Sequence, residues 1–117
     1  MTTPSQSLPF ELAPARVAEL LSEGSIQLVD VREPHERQAG YVPGSRHVPL
    51  AELREAAPSI DPARPVVFVC RVGARSSMAA WSFARAGFDA HNLTGGLLGW
   101  VESELPLEPE GGVVADH

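Results

Sequence analysis

The most restrictive feature of the chain is the apolar run at residues 66–69, Val-Val-Phe-Val. A short run that is apolar at every position is typical of a strand covered on both faces of a sheet. A polar loop containing Gly73 follows it, and then a helical pattern that we predict over residues 76–86, with Gly87 just beyond its end. Strand, tight loop and helix in this order predict an α/β fold.

The same alternation extends along most of the chain. Further strands are predicted at residues 8–12, 26–31, 46–48 and 90–93, and further helices at residues 14–21, 34–38, 50–56 and 97–104. Strands that alternate with helices form a largely parallel sheet. Residues 66–69 are the most apolar of these strands, so we place them at the centre of the sheet.

Composition sets the broad class of protein. The 117 residues suffice for one domain, and the net charge of −6, with arginine as all nine basic residues, disfavours nucleic acid as a partner. No apolar stretch approaches the length of a membrane span and no signal peptide is recognisable, so we expect a cytoplasmic protein without a membrane partner. We predict flexible residues 1–7, a folded domain at 8–106 and a flexible acidic tail at 107–117.

Cys70, the single cysteine, follows the predicted central strand. Ligands of parallel α/β sheets bind at this carboxyl edge of the strands. Arg71 and Arg75 flank the thiol, Gly73 permits unusual backbone angles, and Ser76 is predicted to cap the following helix. Converging amides and cations favour a readily ionised thiol. The alternative is an inert buried cysteine, which is common but has no use for two cations and a glycine.

A second polar group leaves the preceding predicted strand at the same edge of the sheet. Asp30 and Arg32 could support the cysteine loop from behind, or they could form a structural ion pair such as Arg32 with Glu36. His47 is expected to be a buried, hydrogen-bonded histidine. Trp81 and Trp100 are expected to be packing residues.

Several segments resemble the rhodanese (sulfurtransferase) family in its single-domain form. Residues 70–76, Cys-Arg-Val-Gly-Ala-Arg-Ser, resemble the family's active-site loop. Residues 28–40 and 41–49 resemble its two earlier signatures, although Tyr41 stands where histidine is more usual, and residues 87–100 resemble its ending. The resemblance implies a rhodanese-like three-layer α/β/α fold with a mostly parallel five-stranded central sheet.

The resemblance also implies a reaction. Cys70 would be the catalytic nucleophile that takes a sulfane sulfur from thiosulfate or a persulfide and passes it to cyanide, a thiol or a protein thiol. No metal or cofactor is implied. Arg71 is expected to meet an anionic donor, and Arg75 to brace the loop through backbone carbonyls. The residues implied in substrate binding are Arg71, Val72, Gly73, Ala74 and Arg75, with Asp30, Arg32 and Ser76 behind them.

Two other functions remain open. The domain could be a sulfur carrier or regulatory module that delivers persulfide sulfur to a protein partner. A phosphatase or arsenate reductase of the Cdc25 type is disfavoured, because its Cys-x5-Arg loop surrounds a tetrahedral oxyanion, whereas Cys70 and Arg75 are separated by four residues.

Overall fold

In a computed structural model, which describes residues 8–116, the chain forms a five-stranded, fully parallel sheet. The strands lie in the order β1-β5-β4-β2-β3, so the apolar run β4 is central as predicted. Residues 1–7, predicted to be flexible, and His117 lie outside the described residues. The strands are β1 (Glu11–Leu12), β2 (Gln27–Asp30), β3 (Arg46–His47), β4 (Val66–Val69) and β5 (Ala90–Leu93).

The helices follow the predicted order with shifted ends. They are α1 (Pro14–Ser22), α2 (Pro34–Ala39), α3 (Leu53–Ala56), α4 (Ala74–Arg85) and α5 (Gly96–Glu102). Several predicted boundaries differ from the structure: β1 begins at Glu11 rather than at residue 8, and two of the helices begin differently. The helix expected over residues 50–56 begins as a 3-10 turn, Leu50–Glu52, and α4 begins at Ala74 rather than at Ser76.

Both faces of the sheet are covered, which confirms the three-layer α/β/α architecture. Val66 and Phe68 of the central strand pack in one apolar layer with residues of α3 and α4, such as Leu53 and Phe83. Val67 and Val69 point to the other face and pack with residues of α1 and α5. Because side chains alternate along a strand, helices on both faces of β4 account for its being apolar at every position.

The two tryptophans differ in environment. Trp100 is buried as predicted, and its indole N–H donates to the Pro106 carbonyl at 2.8 Å. Trp81 is 61% exposed on α4 and its ring lies 6.4 Å from that of Phe10, so it packs at the surface and not in the core. The side of α4 that faces the core carries other residues, among them Ala79, Ala80 and Phe83.

Residues 107–116 form no helix or strand, yet they contact the domain. Tyr41 and Glu108 exchange backbone hydrogen bonds of 2.9 and 2.8 Å, and the Val113 amide donates to the Ala39 carbonyl at 2.8 Å. Leu107 and Val114 pack against the apolar layer of α1 and α5. The predicted flexibility of this tail stays a prediction. Within residues 8–116, every helix falls short of the length and apolarity needed to cross a membrane.

Candidate active site

The Cys70 sulfur lies beneath a tight loop that joins the central strand to α4. The Gly73 amide donates to Sγ at 3.1 Å and the Ser76 amide at 3.4 Å. Gly73 is the residue before the helix and has φ +105°, a conformation that side chains resist, so glycine lets the loop curl over the sulfur. Ser76 was predicted to cap α4. It lies buried in the first turn of that helix instead, and Gly73 takes the position before the helix.

Cys70 is 1% exposed and belongs to the apolar layer that faces α3 and α4. Burial of this degree was expected for an inert cysteine. The contacts of the sulfur differ from those of an inert cysteine, because two amides of the loop and the helix start donate to it. Amides at a helix N-terminus favour a negative charge at the atom they face. The sulfur is therefore buried and also placed in an anion-stabilising position.

Arg75 was expected to brace the loop through backbone carbonyls. It forms an ion pair with Glu36 of α2 instead. Its Nη1 and Nη2 donate to the two carboxylate oxygens at 2.9 Å each. The predicted alternative pair of Arg32 with Glu36 is therefore wrong. Burial alone raises the pKa of Glu36, but hydrogen bonds from Arg75 and the Glu33 amide, with the charges of Arg75 and Arg32, bring it below its ordinary value. The Glu36 hydrogen bond raises the pKa of Arg75 in turn.

Arg71 reaches from the loop toward the tail. Its Nη2 lies 3.2 Å from Oδ1 of Asp116, whose side chain is 95% exposed. The buried Nε of Arg71 has no hydrogen-bond partner within residues 8–116. The Asp116 carboxylate is exposed, so this ion pair separates easily and leaves the Arg71 guanidinium suited to meeting an anion.

Asp30 and Arg32 form a buried ion pair with each other. Arg32 Nε and Nη2 donate to the Asp30 carboxylate at 2.9 and 2.8 Å, and Nη2 also donates to the Gly40 carbonyl at 2.8 Å. Nε2 of the partly buried His47 donates to the Arg32 carbonyl at 2.8 Å. This cluster lies at the end of β2, next to β4, and its hydrogen bonds go to α2 and β3 rather than to the cysteine loop.

The start of α5 holds the other side of the loop. The Leu97 amide donates to the Cys70 carbonyl at 2.8 Å, and the Leu98 amide donates to the Arg71 carbonyl at 3.0 Å. Gly96 makes this approach possible, since a Cβ there would lie 2.5 Å from both carbonyl oxygens. The Leu97 and Leu98 amides of α5 thus hold the backbone of the loop, and the loop in turn fixes the position of the Cys70 sulfur.

Val72 and Ala74, also predicted to bind substrate, are exposed on the outside of the loop. The sequence analysis gave no site role to Asn92, Gly96 and Asp116, and named Glu36 only as a possible partner of Arg32. Glu36 and Gly96 belong to the family-like segments, so a signal for them existed. Asn92 and Asp116 carried none. Within residues 8–116, no cluster of three or more His, Cys, Asp or Glu side chains could hold a metal ion.

Fold and site together define a parallel α/β domain with a cysteine held by amides at the start of a helix. A family model, the Rhodanese-like domain, matches residues 13–103, and the chain belongs to this family. The resemblance noted in the sequence is thereby confirmed.

Three similar proteins illustrate the relationship. Thiosulfate sulfurtransferase GlpE of Pseudomonas aeruginosa is 34% identical over 102 residues, which cover 86% of this chain and 91% of GlpE. The uncharacterized protein YqhL of Bacillus subtilis is 37% identical over 75 residues, 63% of this chain and 60% of YqhL. The crystal structure of a rhodanese-related protein from Thermoplasma volcanium superposes with a TM-score of 0.78 at 26% identity, covering 85% of this chain and 97% of that one.

Proposed function

We infer that this chain is a sulfurtransferase that carries a sulfane sulfur as a persulfide on Cys70. The observation that carries the proposal is the pair of amides, Gly73 and Ser76, that donate to the Cys70 sulfur. Donors in these positions stabilise negative charge that develops on the sulfur when it attacks or leaves. Family membership and the similarity to a thiosulfate sulfurtransferase support the same reaction class.

The first step is attack of the Cys70 thiolate on the outer sulfur of thiosulfate. A new S–S bond forms at Cys70, the S–S bond of thiosulfate breaks, and sulfite leaves with the electron pair. The persulfide keeps one negative charge. The Gly73 and Ser76 amides and the Arg71 guanidinium are suited to stabilising that charge and the anionic leaving group.

The second step returns the enzyme to its resting state. A thiophilic nucleophile, cyanide or a thiolate, attacks the outer sulfur, and the Cys70 thiolate leaves. Dividing one transfer into two displacements is nucleophilic covalent catalysis. Neither step needs a separate base when the thiol is already ionised, which agrees with His47 being engaged by the Arg32 carbonyl.

Intact-mass spectrometry after incubation with thiosulfate tests the proposal. We expect a gain of one sulfur atom, its loss after cyanide is added, and no gain in Cys70→Ser. Ser77→Ala, a similarly small change in the helix that follows the loop, serves as the control and should load normally. A persulfide that forms in Cys70→Ser, or no loading from any donor, would contradict the mechanism.

The choice of donor separates the enzyme from the sulfur carrier. Loading from thiosulfate with turnover on cyanide supports the free-standing enzyme. Loading only from the persulfide of a cysteine desulfurase supports the carrier. Hydrolysis of p-nitrophenyl phosphate without sulfur loading would favour the phosphatase.

A further inference from the structure

The hydroxyl of Ser76 lies between two acceptors. Its Oγ is 2.6 Å from Oδ1 of Asn92 and 3.3 Å from Sγ of Cys70, and all three residues are buried. A serine hydroxyl carries one proton, so it donates to one of these atoms at a time. Which atom receives the proton affects the charge state of the sulfur.

Glu11 settles the orientation of the Asn92 amide. Nδ2 of Asn92 lies 3.1 and 3.2 Å from the two carboxylate oxygens of Glu11, which accept hydrogen bonds and cannot donate when ionised. The Thr94 hydroxyl also donates to this carboxylate, at 2.7 Å. Turning the amide around would place Oδ1 against the carboxylate. Oδ1 of Asn92 therefore faces Ser76, and the contact of 2.6 Å requires the Ser76 proton.

We propose that Asn92 is a positioning residue that draws the Ser76 hydroxyl proton away from the Cys70 sulfur. The thiolate is then stabilised by the Gly73 and Ser76 amides but not by the hydroxyl. This arrangement has a chemical advantage. A thiolate that is stabilised more strongly is a weaker nucleophile, and the best attacking thiol ionises near the ambient pH. Asn92 limits the stabilisation of the nucleophile.

The charged groups around the sulfur are the same in each variant used to test the proposal. Arg75 lies in the first turn of α4 and is paired with Glu36. Arg71, paired with Asp116, lies on the loop, and Glu11 stands behind Asn92. The Asp30 and Arg32 pair closes the neighbouring strand end. The formal charges around the sulfur are therefore the same in the parent protein and in each variant, although Asn92→Leu also removes the hydrogen bonds from Nδ2 to Glu11.

The test is the pH profile of alkylation by iodoacetamide, a neutral probe that reports on the single cysteine. Asn92→Leu keeps the branched shape but removes the acceptor, so the freed hydroxyl donates to the sulfur. We expect the midpoint of the profile to fall by about one pH unit, since hydrogen bonds to charged groups are among the stronger ones. The limiting rate at high pH should fall about threefold as the thiolate becomes less nucleophilic. An unchanged or higher midpoint would overturn the proposal.

Ser76→Ala provides a second measurement that does not depend on how well Asn92→Leu folds. If Asn92 already holds the hydroxyl proton, removing the hydroxyl does not raise the midpoint. A rise of about one unit would show that the hydroxyl donates to the sulfur in the parent protein, and would overturn the proposal. The double variant Ser76→Ala/Asn92→Leu should have the same midpoint as Ser76→Ala, because without the hydroxyl Asn92 no longer affects the hydrogen bonding of the sulfur.

The proposal rests on the proposed function in taking Cys70 as the reacting group. The two are distinguishable in experiment. The pH profile of alkylation reports the hydrogen bond of the Ser76 hydroxyl whether or not the protein transfers sulfur. Persulfide loading reports sulfur transfer whether or not the midpoint changes in Asn92→Leu.

Discussion

Arg75 and Glu36 are joined by two parallel hydrogen bonds of 2.9 Å, which tie the first turn of α4 to α2. The Glu36 carboxylate is fully buried and also accepts from the Glu33 amide at 2.9 Å, within the capping box that begins α2. The ion pair thereby fixes α4 to α2. Since the loop that begins with Cys70 leads into α4, the end of the loop next to α4 is held in place.

Replacing Glu36 by glutamine should lower stability substantially. The glutamine amide keeps the shape but loses the charge and turns a donor toward a donor. We expect the free energy of unfolding to fall by about 2 kcal/mol, as for a hydrogen bond to a charged group. Urea denaturation measures the change. Glu19→Gln is the control, because Glu19 pairs with Arg16 on the exposed surface of α1 and should matter by less than about 1 kcal/mol. Equal losses would show that the buried pair contributes no more than an exposed one.

The contribution of Glu36 should also depend on pH. Its folded-state pKa lies below the ordinary value, so its stabilising effect is present above the unfolded-state pKa of about 4.3 and is lost as the pH falls through the folded value. The stability difference between the parent protein and Glu36→Gln should be constant from pH 7 to pH 5 and narrow below about pH 4. Denaturation at each pH measures it, and a gap that does not narrow would contradict the assigned shift.

The strands could be predicted from sequence because a strand buried on both faces is a short run of mostly apolar residues. Residues 66–69 and 90–93 have the bounds that the pattern predicted, and the run at 66–69 takes the central position. The start of α4 was harder to place. Serine is a common helix cap, but Gly73 takes the position before the helix through its positive φ, and Ser76 turns its hydroxyl toward Cys70 and Asn92.

Side-chain partners at the site could not be predicted in the same way. Sequence proximity favours Arg32 as the partner of Glu36 at a separation of four, whereas the fold supplies Arg75, 39 positions away. The contact of Asn92 with Glu11 spans 81 positions, and that of Arg71 with Asp116 spans 45. Such pairs arise from the order of strands in the sheet and from the path of the tail, neither of which leaves a local pattern.

Adding a methyl group at Gly96 should disrupt the loop. The Cβ would lie 2.5 Å from the Cys70 and Arg71 carbonyl oxygens, and the backbone has φ +61°. We expect Gly96→Ala to lose about 3 kcal/mol of stability and most of the iodoacetamide reactivity of the protein. Gly24→Ala is the matched control: Gly24 has φ +72° with nothing within 4 Å of the added atom, so it should lose only about 1–2 kcal/mol. Similar losses in both variants would attribute the effect to backbone strain alone.

The pair of Arg71 with Asp116 should reduce the affinity for anionic sulfur donors. Asp116 occupies Nη2 of Arg71 at 3.2 Å, and its carboxylate repels thiosulfate, yet the exposure of that carboxylate makes the pair easy to separate. We expect Asp116→Asn to lower the KM for thiosulfate about two- to threefold at low salt without changing kcat, and the difference to disappear near 0.5 M salt, where screening is short-ranged. Steady-state kinetics in both salts measure it.

Two further variants assign that effect to the contact itself. Glu110→Gln removes one negative charge from the same tail at a residue without an ion pair to Arg71, so it should leave the KM for thiosulfate unchanged. In an Arg71→Ala background the Asp116→Asn substitution should lose its effect, because the carboxylate then has no guanidinium to occupy. A fall in KM that is equal for Glu110→Gln, or that persists without Arg71, would trace the change to net charge instead of to competition between Asp116 and the donor for one guanidinium.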